Sequence, residues 1–166
     1  KNRLRNLLNI IEMNEVLNLY KHLKTCYAYV DGTFYNGMYG GGYVVFSPDN
    51  KIIYQDCGVG QNIPELLSMR NISGEMTAAM HAALWIDTFV GRGTIVHDYT
   101  GLSKWVTGEW QTQKEYTKKY ADFMQPFYIL DIIKFEWVKG HTNVTGNEIA
   151  DRLARESVVH NEHWKF

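Results

Sequence analysis

The order of elements legible in the sequence predicts a mixed α/β fold: an antiparallel meander, extended by parallel strands into a five-stranded sheet, with helices packed against it. Three observations carry that expectation. Three β-rich runs follow one another within residues 27–54, joined by turns too short for a crossover. An alanine-rich stretch of helical character at 74–86 separates them from a fourth run at 94–98. A last strand-to-helix passage, 134–141 running into 146–154, repeats the alternation that builds parallel neighbours.

Taken in order, residues 4–23 set Leu4, Leu7, Leu8, Ile11, Val16 and Leu19 at roughly helical spacing, which predicts an amphipathic helix that packs on the rest of the chain or tethers it. Residues 27–30 read as a strand ending at Asp31-Gly32-Thr33. Gly37, Gly40, Gly41 and Gly42 read as a glycine-rich turn into the strand Tyr43-Val44-Val45-Phe46, and Ser47-Pro48-Asp49-Asn50 turns the chain into Lys51-Ile52-Ile53-Tyr54. A loop through Pro64 leads to the alanine-rich helix. After the strand at 94–98 come polar helical segments over about 102–126, a strand at 133–138 and a final helix beginning near Asn147. Residues 1–24 are thus an N-terminal arm or linker, and 25–166 form one domain.

Composition narrows the class. A chain of 166 residues, 45% apolar and 21% charged, is long enough to bury one proper core and too short for two full domains. The net charge of -1 hides an asymmetry: residues 1–24 carry five basic residues against two acidic, a net of +3, which leaves -4 for the remainder. Bulk charge therefore does not hold a polyanion, and such a partner must be gripped by local patches and by metal. Cys26 and Cys57 form no CxxC pair and are too few for a disulfide framework. No run of about 18 apolar residues is present. The expectation is a soluble, cytoplasmic monomer without a membrane partner.

Four acids stand out, three of them at strand or helix ends and one inside a helix. Asp31 closes the first strand, beside a glycine that lets another backbone come close. Asp98 closes the fourth strand, which a crossover would set parallel to the first, so that both acids share the edge where α/β sheets bind ligands. Glu75 begins the alanine-rich helix, and Asp151 interrupts an otherwise apolar helical face formed by Ile149, Ala150, Leu153 and Ala154, where a carboxylate is costly unless paired. Any one of these has an ordinary explanation, as a turn residue or a partner of a helix dipole. Four together would repel and raise one another's pKa values unless a cation neutralised them, and all-oxygen ligands favour Mg²⁺ or Mn²⁺ over zinc.

The motifs Asp31-Gly32-Thr33, Asn71-Ile72-Ser73-Gly74-Glu75, His97-Asp98, Trp137-Val138-Lys139-Gly140-His141, and Asn147-Glu148 with Asp151 resemble, in order and spacing, the motif series of type 1 ribonuclease H. Met69-Arg70-Asn71 and the stretch 98–110 resemble a bacterial subgroup of that family. The resemblance covers residues 26–158. It implies the ribonuclease H-like fold and an endoribonuclease that hydrolyses the RNA strand of RNA/DNA hybrids, leaving 3′-hydroxyl and 5′-phosphate ends. It also implies that Asp31, Glu75, Asp98 and Asp151 hold two Mg²⁺ ions, for which Mn²⁺ can substitute, and that His141 assists proton transfer or product release. Glu148 matches an acid that influences metal exit. Gly32, Thr33 and Asn71 would sense ribose 2′-hydroxyls in the minor groove, and Arg70 would reach a DNA phosphate.

Members of the similar subgroup often carry a separate N-terminal hybrid-binding domain, and the arm at 1–24 is compatible with a fused or lost one. Residues 102–126 set four lysines against three acids, a net of +1, where some relatives have a strongly basic protrusion. Two other readings stay open at this level. A transposase or integrase nuclease shares the fold and the carboxylates but not the Trp-Val-Lys-Gly-His loop. A non-catalytic hybrid-binding module would tolerate loss of an acid, and here none is lost.

Overall fold

The structure, a computed structural model, describes residues 2–166. Its elements are α1 (Asn2–Asn18), β1 (Tyr27–Tyr35), β2 (Met38–Phe46), β3 (Ile52–Val59), α2 (Pro64–Ser68), α3 (Asn71–Phe89), β4 (Gly93–His97), α4 (Gly101–Thr107), α5 (Glu115–Ile129), β5 (Ile133–Trp137) and α6 (Thr145–Val159). The strands form a five-stranded sheet in the order β3-β2-β1-β4-β5. β1, β2 and β3 pair antiparallel, while β4 runs parallel to both β1 and β5. This is the meander with crossover extensions that the sequence predicts.

The first hairpin departs from the expectation. Its turn is only Asn36-Gly37, both at positive φ (51° and 74°), and the glycines at 40–42 lie inside β2. Those glycines serve packing on both faces, because successive residues of a strand point to opposite sides. A Cβ at Gly41 would stand 2.2 Å from the Gly74 carbonyl oxygen in α3, and one at Gly42 would stand 2.7 Å from the Ala154 nitrogen in α6. The missing side chains let α3 and α6 approach the same strand from opposite faces. β1 is also longer than expected, so that Asp31 sits within the strand rather than at its end.

The core is one cluster in which Trp85, Tyr43, Tyr120, Ile86, Ile95 and Leu102 are fully enclosed. The segment after α6 closes the edge of the sheet at β3. Trp164 stacks on His81 with ring centroids 4.2 Å apart, and the Asp56 carboxylate accepts the amide N–H groups of Lys165 and Phe166 at 3.0 and 3.1 Å.

The arm does not pack as its apolar spacing suggests. α1 buries none of its residues, and Leu4, Leu7, Leu8, Ile11 and Val16 are exposed, as is Leu19 beyond its end. What ties this end of the chain down lies after the helix. The Tyr20 hydroxyl donates to the Ile53 carbonyl at 3.1 Å, and its ring lies 5.6 Å from that of Trp85. Among the described residues no helix is long and apolar enough to cross a membrane.

Candidate active site

The parallel register Tyr27–Thr94, Ala28–Ile95 and Tyr29–Val96 carries the C-terminal end of β4 to the middle of β1. Asp98, one residue past β4, therefore faces Asp31. Glu75 reaches the same point from the second turn of α3, because the helix starts at Asn71, earlier than the alanine pattern suggests. Gly32 permits this approach: a Cβ there would lie 2.0 Å from the Asn71 carbonyl oxygen and 2.4 Å from the Glu75 nitrogen. β1 and the start of α3 thus touch backbone to backbone, beside the acids they carry.

Asp31, Glu75 and Asp98 each present a carboxylate oxygen, and these atoms lie within 4.8 Å of one another. None of the three forms a salt bridge among the described residues. Their hydrogen bonds are few. The Asp31 carboxylate accepts the Gly32 N–H at 2.8 Å, and Glu75 accepts the N–H groups of Asp98 and Tyr99 at 3.3 and 3.4 Å. Burial and the neighbouring Asp98 push the Asp31 carboxyl up to about 7, against the pull of the Gly32 N–H. Burial, then Asp98 and Asp31, drive Glu75 well above the usual carboxylate range despite its two amide donors. Uncompensated negative charge on an all-oxygen donor set fits a hard divalent cation.

Asp151 approaches the site from α6 but lies outside that mutual distance. It raises the Asp31 carboxyl further and lines with it an open pocket of about 530 Å³, together with His141, Asn143, Asn147, Glu148 and Arg155. Its carboxylate is paired with Arg155 at 2.9 Å, one helical turn on. The site therefore has three acids that meet within 4.8 Å, of which only Glu75 is buried, and a fourth beside Asp31 that is held by a guanidinium. The Asp-x-x-x-Arg spacing was the available signal for that pair.

The residues of the β5–α6 loop are arranged around Asp98. The Trp137 indole N–H donates to the Asp98 carbonyl at 2.8 Å, and the Val138 N–H donates to His97 at 2.9 Å. A Cβ at Gly140 would stand 2.9 Å from a carboxylate oxygen of Asp98. His141 and Asn143 both adopt positive φ (57° and 61°) and are exposed, so the histidine sits on a strained loop at the rim. His97 is buried, its Nδ1 bound to the Tyr99 carbonyl oxygen at 2.9 Å.

The residues expected to meet substrate lie next to Asp31 along β1 and at the start of α3. Gly32 and Thr33 are half-buried on β1, and Asn71 is exposed at the start of α3. Arg70 is held at positive φ (56°), with its guanidinium 4.8 Å from the Phe34 ring centroid, a cation–π contact that aims it along β1. Trp137, expected in the core or in helix packing, is instead 55% exposed next to the acids, and Trp110 is exposed with Lys104 over its ring.

The sequence model of the RNase H family matches residues 24–159. Ribonuclease H of Chromohalobacter salexigens is 32% identical over 96 residues, 56% of this chain and 57% of that protein. The ribonuclease H of Orientia tsutsugamushi matches at 36% identity over 61 residues, 36% of its length. The chain thus spans between about a third and a little over half of these curated relatives. Among solved structures, RNase H1 of Halobacterium salinarum superposes with a TM-score of 0.68 at 22% identity, covering 82% of this chain and 98% of that one. The LC11-RNase H1 solved in complex with an RNA/DNA hybrid superposes at 0.63 and 12% identity, covering 80% and 99%. These likenesses establish the shared fold.

Proposed function

The chain belongs to the RNase H family, and on that premise we propose that it hydrolyses the RNA strand of RNA/DNA hybrids, leaving 3′-hydroxyl and 5′-phosphate ends. The observation that carries this reading is the trio of acids, Asp31, Glu75 and Asp98, with oxygens within 4.8 Å and no salt bridge among the described residues. A cluster of three acids so close together, one of them buried, costs stability unless a cation occupies it.

In this reading Asp31, Glu75 and Asp98, with Asp151 beside Asp31, hold two Mg²⁺ ions, for which Mn²⁺ can substitute. When bound, such ions supply a water nucleophile of lowered pKa and charge stabilisation for the leaving oxygen. The chain's own groups do the rest. The amides of Asp98 and Tyr99 fix the Glu75 carboxylate toward the shared centre. The Trp137 indole and Gly140 fix Asp98 from the other side. Arg155 pairs with Asp151, the fourth carboxylate that would complete the ligand set. The backbone of Gly32 and Thr33 and the side chain of Asn71 sense ribose 2′-hydroxyls, and Arg70 takes a phosphate of the DNA strand. Residues 25–166 are the catalytic domain, and the site needs no residue from α1. A cytoplasmic location belongs to the same reading, supported by two free cysteines.

The ends of the products test the chemistry. RNA fragments released from a hybrid should accept radiolabelled phosphate from polynucleotide kinase only after phosphatase treatment, and poly(A) polymerase should extend them. Fragments with 2′,3′-cyclic phosphate ends would show attack by the 2′-hydroxyl and overturn the reading.

His141 stands at the pocket rim, on an exposed and strained loop rather than within the cluster of acids. Its part is to take or give a proton at the departing group and to ease product out. His141→Ala should therefore slow turnover by ~10 to 100-fold, with the carboxylates still intact. A loss as large as that of Asp31→Asn in steady-state assays would show a deeper role.

A further inference from the structure

Helix α1 combines features that make it a poor helix in isolation. Asparagine is one of the weaker helix formers, and it occupies positions 2, 6, 9, 14 and 18 of a 17-residue helix. Its charges oppose the helix dipole: Arg3 and Arg5 lie in the first turn, where positive charge is unfavourable, and Glu15 lies in the last, with Glu12 one turn before. None of these four forms a salt bridge among the described residues. The domain gives little in return. Met13, Val16 and Leu17, with Glu12 at its edge, line an open cleft of about 520 Å³ against Phe89 and Phe166, and no residue of the helix is buried.

The face turned away from that cleft carries Leu4, Leu7, Leu8 and Ile11, between 51% and 69% exposed. At about 100° per residue these four fall within roughly a 100° arc, the width of a core-facing stripe. Arg5 and Glu12 border the same edge of the stripe. They are seven residues apart, hence only about 20° apart around the helix. Such a face is complementary to its own copy in one orientation. Two α1 helices laid antiparallel about a two-fold axis between Leu8 and Asn9 bring Arg5 of each beside Glu12 of the other, while the eight aliphatic side chains meet between them. Each acidic end then lies along its partner's basic end, so the dipoles compensate instead of adding. A parallel pair would set the Arg5 and Glu12 edge against the partner's opposite edge, formed by Arg3, Ile10 and Asn14, and would lose this pairing.

We propose that α1 is a self-association surface, and that its occupant is the α1 helix of a second copy of this chain, packed antiparallel. The sequence taken by itself suggests a monomer; the exposed stripe and its charge order favour a pair. Because the catalytic carboxylates all come from one chain, the pair links two complete sites.

Sedimentation equilibrium of the full 166-residue chain at several protein concentrations tests this. The wild-type chain should form a reversible dimer. Arg5→Glu and Glu12→Arg should each raise its dissociation constant ~10-fold or more, since like charges then face each other twice. The double variant R5E/E12R should restore dimerisation, and an equimolar mixture of the two single variants should form a mixed dimer. Either single change improves the fit of α1 to its own dipole, so a purely structural effect would act in the opposite direction and would appear as increased helicity in circular dichroism. A wild-type chain that stays monomeric across the range, or an Arg5→Glu variant that dimerises as tightly as wild type, would overturn the proposal.

Discussion

Asp31→Asn is expected to yield a folded protein whose turnover on an RNA/DNA hybrid is lower by several orders of magnitude, and Asp98→Asn should behave likewise. Each substitution keeps the shape of the side chain and removes one oxygen charge from a group of three acids within 4.8 Å. Losing a charged ligand there weakens and displaces the cations, and with them the activation of the nucleophile. The same change should make the metal-free protein more stable. Asp31 titrates at about 7 in the fold, against 3.8 without its surroundings. The folded state therefore binds more protons than the unfolded one between those values, and stability falls as pH rises through that window. Asparagine cannot ionise, so in chelator the melting temperature of Asp31→Asn should exceed that of wild type, by more at pH 8 than at pH 4. Added Mg²⁺ should close the gap by stabilising wild type. Folded variants with near wild-type rates would refute the assignment of these acids.

The choice of cation should matter almost as much. Mg²⁺ and Mn²⁺ should support cleavage, whereas Ca²⁺ should bind the same acids and leave the enzyme close to inactive. Ca²⁺ takes more ligands at longer, less directional bonds, so the reacting oxygens are no longer held in line. Competition is the sharper form of the test: Ca²⁺ titrated into a Mg²⁺ assay should inhibit, which separates non-productive binding from absence of binding. Full rates in Ca²⁺, or in excess chelator, would contradict a mechanism that depends on paired divalent ions.

Much of this architecture was legible because it rests on local chemistry. The alternation of β-rich runs with helical stretches predicted the sheet, and the parallel pairing of β1 with β4 followed from the intervening helix. What escaped were features decided by distant packing. The glycines at 40–42 look like a turn in sequence, and only the approach of α3 and α6 to opposite faces of β2 explains them as strand residues. The alanine pattern located α3 but not its start, because Asn71 and Ser73 carry no apolar period. At the site, sequence motifs suggested four equivalent carboxylates. The structure distinguishes the three that meet within 4.8 Å from Asp151, which is tied to Arg155 one turn along α6. The apolar spacing of residues 4–19 correctly suggested a helix and wrongly suggested burial, since periodicity reports a sticky face and not what covers it.

The central claim is that these carboxylates serve cleavage of RNA paired to DNA, and one side-by-side assay tests it. The purified chain, with Mg²⁺, is incubated with three end-labelled duplexes of the same sequence: an RNA/DNA hybrid, a DNA duplex and an RNA duplex. The account predicts internal cuts confined to the RNA strand of the hybrid, with the other two duplexes intact and all cutting abolished by Asp98→Asn. Cleavage of the DNA duplex at a comparable rate, or an untouched hybrid under conditions where the chain is folded and binds Mg²⁺, would contradict it.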